Sequence, residues 1–521
     1  MDNTEKTIPT WKQYNRPWIV RLALTVWNYI KNVGLMLWSV IRAIPFKIRD
    51  WVFAIGRGVR DYFLRLVKGD WRTWISYLIM GFGCFTRGAG QIVKGLLLLA
   101  VEALFIVYMI FIGAPNLGKF GSLGTATQKP NPDGFGYIDG DNSLKILLFS
   151  VMTIMLIIFF FIVYVKSTKI AYETQKRAQS GKPLSTFKQQ LNYALNDGYH
   201  VTILALPLFG ILLITVLPLI CNILVAFTNF GIMDGDKHYP PAQLFGWIGF
   251  DAFKYVFSNG SAYGSAIWRV LGWTLVWAVF ATFTNFFFGM FLAMMINKKS
   301  IKLKVFWRTC FVIVIAVPDF ITLLMMANFF SYSSNTALTG AFNKILQQWF
   351  GLKDVNIDWA GGVTNSVWRA RMFVIVINMW RGMPYTMLAT SGILMNIPDE
   401  LYESSRIDGA GPVRRFISIT FPYIMFVMGP QLITTFTGNI NNFNVIFFLT
   451  GGGPKLMTDI GQPGRTDLLV TWLYTLTVNK GQYPEYNFGA VIGLFTFLVT
   501  AFFTLIVFNS SKSVKQEDTF Q

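Results

Sequence analysis

Long apolar runs separated by short basic segments constrain this chain more than any other feature. Residues 146–165 contain no charged side chain, and similar runs recur at 92–113, 203–227, 270–296, 310–331, 372–394, 424–449 and 487–508. The hydrocarbon core of a bilayer requires a helix of about 20 such residues. A span also has to satisfy its own backbone N–H and C=O groups, and short runs of this kind do so as helices. The pattern therefore predicts an all-α, polytopic membrane protein with about eight transmembrane helices.

The charge distribution agrees. Charged residues make up 14% of the chain, against about 25% in ordinary soluble domains. Phe (49) and Trp (17) are abundant, as expected where rings sit at water–lipid boundaries. The formal charge of +19 would suggest nucleic acid in a soluble protein. Here the cations fall in alternate connections, which points to topology and anionic lipid instead, with no nucleic-acid partner. Segment 166–200 holds Lys166, Lys169, Lys176, Arg177, Lys182 and Lys188; segment 297–308 holds Lys298, Lys299, Lys302, Lys304 and Arg308. Segment 395–422 adds Arg406, Arg414 and Arg415, and the tail adds Lys512 and Lys515. The opposite loops, 114–145, 228–269, 332–371 and 450–486, carry fewer cations per residue. The positive-inside rule then places both termini in the cytoplasm of a multi-pass cell-membrane protein. Cys84, Cys221 and Cys310 stand far apart, and His200 and His238 form no metal motif, so no metal site is expected. The first apolar stretch begins late and lacks a small-residue cleavage pattern, so membrane entry through an uncleaved span is expected.

The chain divides by composition into a basic cytoplasmic or interfacial region (1–90), two spans with a cytoplasmic loop (91–200), a membrane core (201–510) and a cytoplasmic tail (511–521). Within 18–44, Arg21, Asn28, Asn32, Ser39 and Arg42 share one helical face, while Leu24, Val26, Val33, Leu37 and Ile41 lie away from it. Trp27 and Trp38 flank the polar stripe. This predicts an amphipathic interfacial helix on the inner leaflet rather than a further span, since three cations inside a span are costly. Residues 46–72 continue basic.

The connection at 397–422 carries the most specific signal. Pro398 and Asp399 predict a helix start with Asp399 as cap. Gly409–Gly411 break that helix, and Pro412 suits the first position of another. The product is a helix–turn–helix outside the membrane, with Leu401, Tyr402 and Ile407 for docking and Glu403 as an acidic anchor. Glu403-Ser404-Ser405, Gly409, Ile419 and Phe421-Pro422 match in spacing the E-A-A…G…I-x-L-P motif. The segment thereby resembles importer permeases of the ATP-binding cassette superfamily. Two Ala are replaced by Ser and one Leu by Phe. The resemblance implies that Glu403, Ser404, Ser405, Asp408, Gly409, Ala410, Ile419 and Pro422 couple the chain to an ATPase subunit. The sequence has no GxxxxGK[ST] segment; Ser180-Gly181-Lys182 is followed by Pro183 and lacks the upstream glycine spacing. No cofactor is therefore expected in this chain, and ATP and Mg belong on partner subunits.

Asn378, Gly382 and Tyr385, at i, i+4 and i+7, are expected on one face of the sixth span. Asn439 and Asn442 are expected on one face of the seventh. Amides and a phenol offer uncharged partners for sugar hydroxyls, and an aromatic ring suits a pyranose face. Gly382, beside Pro384, would let backbone and ligand approach. The same Asn residues serve equally well to join helices by hydrogen bonds.

Residues 378–385, 439–443, 449–454 and 466–470 are similar to the maltose/maltodextrin permeases that pair with a second permease. That resemblance covers about 200–510. It implies sugar contacts at Asn378, Arg381, Gly382, Tyr385, Gly438, Asn439 and Asn442. Gly438 stands where that family has an aromatic residue, and Arg381 where it has Leu. Loop 228–269 is short where the enterobacterial maltose permease has a folded periplasmic domain. The resemblance further implies a second permease, two ATPase subunits, an extracellular sugar-binding protein and alternating access to an oligosaccharide, with no covalent chemistry in this chain. A secondary transporter would instead need intramembrane carboxylates, for which Glu102 is the main candidate. A membrane assembly or receptor protein would need no ligand cavity and no ATPase partner.

Overall fold

The computed structural model describes residues 49–510 apart from 51–52, 55, 88–90, 128, 132–136, 139, 185, 232–243, 299, 336–337, 353–355, 456–461 and 479–483. The stripe expected over 18–44 and the tail from 511 lie outside the described residues. The described chain gathers into two compact units, one running to residue 224 with 244–247, the other holding 225–231 and everything from 248. Helix dominates both. A two-residue ladder, β1 (Lys129–Pro130) with β2 (Tyr137–Ile138), is the antiparallel exception among the described residues.

The first unit opens with helical residues 56–67, followed by α1 (Trp71–Ile75) and α2 (Phe82–Phe85). Two long apolar helices follow, α3 (Ile92–Lys119) and α4 (Ser143–Gln179). After α5 (Phe187–Leu195) comes α6 (Tyr199–Val225). Asn142 caps α4, its side chain accepting from the Lys145 N–H at 2.9 Å. The helix runs about four turns past the expected span end at 165, because residues 166–179 hold neither Gly nor Pro. It stops at Ser180-Gly181, where Gly181 takes φ +66°.

A polar junction ties α1 to α4. The Gln175 Oε1 accepts from the Asp70 N–H (3.0 Å) and the Thr73 hydroxyl (2.8 Å). Arg87 reaches Asp70 and donates to the Thr73 hydroxyl (3.0 Å) and the Ala171 carbonyl (2.8 Å). Burial alone would raise the Asp70 carboxyl; hydrogen bonds from Thr73 and Arg87 prevail and hold it below the ordinary carboxylate range.

The second unit comprises α7 (Asp251–Phe257), α8 (Ala262–Asn297), α9 (Lys304–Ala316), α10 (Asp319–Phe329), α11 (Ala341–Gln348) and α12 (Val367–Met395). It continues with α13 (Asp399–Ile407), α14 (Pro412–Ile440), α15 (Phe443–Thr450), α16 (Leu469–Thr477) and α17 (Tyr486–Ser510). Helix α8 is its central post. Tyr263, Ile267 and Val270 pack with Trp472, Phe488 and Val491 of α16 and α17. One stage further along, Trp273, Trp277 and Ala281 meet Leu323, Val374, Ile377 and Val445. Phe286 and Met290 then pack on Ile424 and Met428 of α14. Its largest contact is with α12. There Gly289 brings the backbones so close that an added Cβ would lie 2.6 Å from the Met383 carbonyl oxygen. Small residues at a helix crossing are how membrane helices gain packing contact.

Among the described residues, α3, α4, α6, α8, α14 and α17 are long and apolar enough to cross a membrane. The fifth, sixth and seventh expected spans differ in form from that expectation. The fifth is broken: α9 and α10 meet at 95°. Val317 is extended (φ −84°, ψ 131°), as a residue before proline tends to be, and Pro318 supplies no N–H to continue the helix. The sixth is α12, continuous over 29 residues but carrying Arg369, Arg371 and Arg381. The seventh, expected over 424–449, ends at Ile440; Asn441 and Asn442 turn the chain into α15.

Candidate functional site

Two polar residues one turn apart on α8, Thr282 and Asn285, meet α14 and α12. The Asn439 amide of α14 donates to the Thr282 hydroxyl at 3.0 Å. Asn285 packs over Gly382 of α12, where an added Cβ would stand 2.2 Å from its Nδ2. Gly382 therefore makes room for Asn285 of the neighbouring helix. One turn before it, Asn378 is buried, and neither polar atom of its side chain has a hydrogen-bond partner. Tyr385, two turns beyond Asn378, is exposed. The face they share is sealed at one end and open at the other. Thr282 and Asn285 escaped the sequence reading, although they stand at i and i+3 in a largely apolar stretch of α8.

Asn439 and Asn442 do not share a helical face, because the helix ends between them. Asn442 caps α15, its Oδ1 accepting from the Val445 N–H at 3.3 Å, and its Nδ2 donates to the Asn439 Oδ1 at 3.2 Å. Asn442, Asn439 and Thr282 thus form a hydrogen-bonded chain that joins α15, α14 and α8. Gly438 has nothing within 4 Å of the position a Cβ would take.

Arg381 has a partner that sequence reasoning missed: its Nη1 donates to the Asp319 Oδ2 at 2.5 Å. Its side chain is 17% exposed and that of Asp319 45%. Asp319 opens α10 directly after the Pro318 break, so the bend itself presents the carboxylate to α12. Glu102, the carboxylate considered for ion coupling, accepts from the Met80 N–H at 2.7 Å.

The 397–422 segment forms the expected helix–turn–helix, with one correction. Pro398 occupies the cap position and Asp399 is the first helical residue, with no side-chain capping bond. Asp399 and Glu400 still favour the first turn through the helix dipole. Gly409 takes φ +73° with open space around it, and Pro412 opens α14. The Tyr402 and Thr420 hydroxyls lie 2.8 Å apart and tie the two limbs together. Ser405 and Ala410 lie half-buried on the inner side, as does Ile419 further on, whereas Glu403, Ser404, Asp408 and Pro422 are exposed. Leu401, Ile407, Val413 and Ile417 are also exposed, Ile407 to 87%.

A second clasp joins two of the quoted stretches. Gly452 takes φ +83°, and a Cβ there would stand 2.1 Å from the Asp467 Oδ1. Asp467 accepts from the Gly464 N–H (2.7 Å) and the Thr471 hydroxyl (2.8 Å). Burial pushes its carboxyl above the ordinary range despite these bonds. The two glycines should therefore respond differently. Gly409→Ala costs only the left-handed backbone, about 1–2 kcal/mol. Gly452→Ala adds a collision with a buried side chain and should lower the detergent melting temperature clearly further. Equal shifts would contradict this packing.

The family of binding-protein-dependent transport system inner membrane components matches at residues 285–516. The chain is 32% identical over 440 residues to the galactooligosaccharides transport system permease protein GanP of Bacillus subtilis, covering 84% of this chain and 97% of that protein. It is 31% identical over 437 residues to the maltodextrin transport system permease protein MalC of Streptococcus pneumoniae, covering 83% and 95%. It is 30% identical over 455 residues to the maltodextrin permease protein MdxF of Bacillus subtilis, covering 87% and 98%. Matched along nearly the full length of these relatives and built of membrane-length helices, the chain belongs to the binding-protein-dependent sugar permeases and is a permease subunit of an ATP-binding cassette oligosaccharide importer.

Proposed function

We propose that the chain conducts a neutral gluco-oligosaccharide of maltodextrin type, along the face of α12 that runs from Asn378 to Tyr385. The buried Asn378 amide, unpaired at both polar atoms, carries this reading. Leaving such a group unmade costs about 1–3 kcal/mol, and a passing sugar hydroxyl would complete it. Arg381 supports a neutral substrate, because Asp319 cancels its charge. Asn439, Asn442 and Gly438 border the path, the first two chiefly as its frame. Two maltodextrin permeases among the relatives favour α-glucans; the galactooligosaccharide relative makes the β-galactoside the comparison to run.

The exposed knob of Glu403, Ser404, Asp408 and Gly409, with its apolar patch, suits docking to an ATPase subunit, on which ATP and Mg would sit. A second permease, two such ATPases and an extracellular binding protein would complete the importer, with both termini of this chain cytoplasmic. Inward- and outward-open states would then exchange as the partners bind and release nucleotide.

Asn378→Leu and Tyr385→Ala test the path in cells expressing the whole importer. Each loses a neutral contact of about 0.5–1.5 kcal/mol, so maltotriose uptake should fall up to about tenfold, with assembly intact. Full uptake by both variants across sugar concentrations would place the path elsewhere. Failed assembly of both would assign these residues to helix joining.

A further inference from the structure

The first unit contains a charged groove away from the proposed sugar path. Its cavity, about 450 Å³, lies between helical residues 56–67 and the end of α4. Asp61, Arg65 and Lys68 line one wall, and Lys169, Glu173 and Lys176 the other. On each wall these residues recur at helical spacing, so two like faces look across the groove at each other. Four cations meet two carboxylates there. Asp61 pairs with the neighbouring Arg60 at 3.6 Å, and Glu173 with Lys169 at 3.8 Å, both in exposed positions. Among the described residues, no carboxylate pairs with Arg65, Lys68 or Lys176. Cations at a helix C-terminus complement its dipole, which suits Lys176 in α4 and Arg65 and Lys68 at the end of the shorter helix; the dipoles do not account for the two sets facing each other across one groove.

The depth of the groove is fixed by its surroundings. The apolar run of α4 ends at Val165, and the groove begins about one turn later at Lys169. Just above it, the Tyr164 hydroxyl lies 3.4 Å from that of Tyr62 and donates to the Tyr77 carbonyl at 2.8 Å, so the shorter helix is held against α4. Ile158 and Ile162 lie on the same α4 face as Lys169 and Lys176, on the apolar side of the groove, and both are exposed. Trp71 and Trp74 are exposed after the shorter helix, as aromatic residues are at headgroup level. The groove therefore has cations at headgroup depth and an apolar stripe that continues along its α4 wall.

We propose that it holds the phosphodiester headgroup of an anionic phospholipid. The phosphate would lie among Arg65, Lys68 and Lys176, with the acyl chains along Ile158 and Ile162 of α4. Basic pockets beside membrane helices suit anionic headgroups, whereas a soluble phosphate would gain nothing from the apolar stripe.

Native mass spectrometry of the detergent-purified full chain, titrated with phosphatidylglycerol and with phosphatidylcholine, tests the proposal. Phosphatidylglycerol should bind about tenfold or more tightly than phosphatidylcholine. Arg65→Glu/Lys176→Glu should abolish that preference, and Lys302→Glu, at an exposed lysine elsewhere, should leave it unchanged. Should the double reversal misfold, Lys68→Gln/Lys176→Gln decides: the preference falls about tenfold while lipid-free melting is unaltered. A preference that persists in the groove variants overturns the proposal. So does inorganic phosphate that displaces the lipid at equal concentration, which would assign the groove to a free anion.

Discussion

Glu403→Lys should lower oligosaccharide uptake at least about 30-fold while leaving the permease in the membrane at its normal level. Glu403 is exposed on α13 and makes no ion pair among the described residues, so its charge is not needed for folding. Its proposed value lies in a contact with a basic group on the ATPase. Truncating one member of a buried interfacial ion pair costs about 2–5 kcal/mol, and 2 kcal/mol already corresponds to about 30-fold. Reversal adds repulsion to that loss. Uptake, surface level and ATPase co-purification should be measured together on one preparation. Loss of the first and third with retention of the second is the expected result. Normal uptake with normal co-purification would remove Glu403 from the coupling contact.

The Arg381–Asp319 pair should show an asymmetric response. Removing one partner of a buried ion pair costs about 3–5 kcal/mol, because the remaining charge stays uncompensated. Arg381 is the deeply placed member and Asp319 the half-exposed one. The pair is only partly buried, so solvent screening reduces that cost; Asp319→Leu strands the less exposed guanidinium and should cost the larger share. Arg381→Leu leaves a carboxylate that water can reach and should cost clearly less. The double variant Arg381→Leu/Asp319→Asn should recover most of the stability, since neutral replacement of a buried pair is often tolerated. Thermal unfolding in detergent reads all three. Equal and additive losses would mean that the two residues do not interact.

Much of the architecture was legible because membrane spans are long and uniform in composition. The apolar runs located the helices, and the Pro, Gly and acidic residues of 397–422 specified two helices and a turn through purely local chemistry. Local rules failed where a side chain answers to another helix. Nothing in the neighbourhood of Gly382 says that Asn285, almost a hundred residues earlier, fills its empty side, and nothing beside Arg381 announces Asp319. Hydropathy also smooths over breaks. Pro318 signals the 95° bend, but the apolar residues on both sides made the fifth span look continuous. Asn441-Asn442 likewise ended α14 inside a window that periodicity treated as one helix. Asn439 and Asn442, expected on one helical face, meet instead through the cap of α15.

The central claim is that this chain passes a neutral oligosaccharide under the control of ATP bound elsewhere. Proteoliposomes holding the permease with its second permease, ATPase and binding protein test it directly, with labelled maltotriose outside and ATP sealed within. Uptake should require ATP, persist with ionophores that collapse proton and sodium gradients, and exceed that of an anionic oligosaccharide of equal length. Uptake driven by an ion gradient without ATP would contradict the claim.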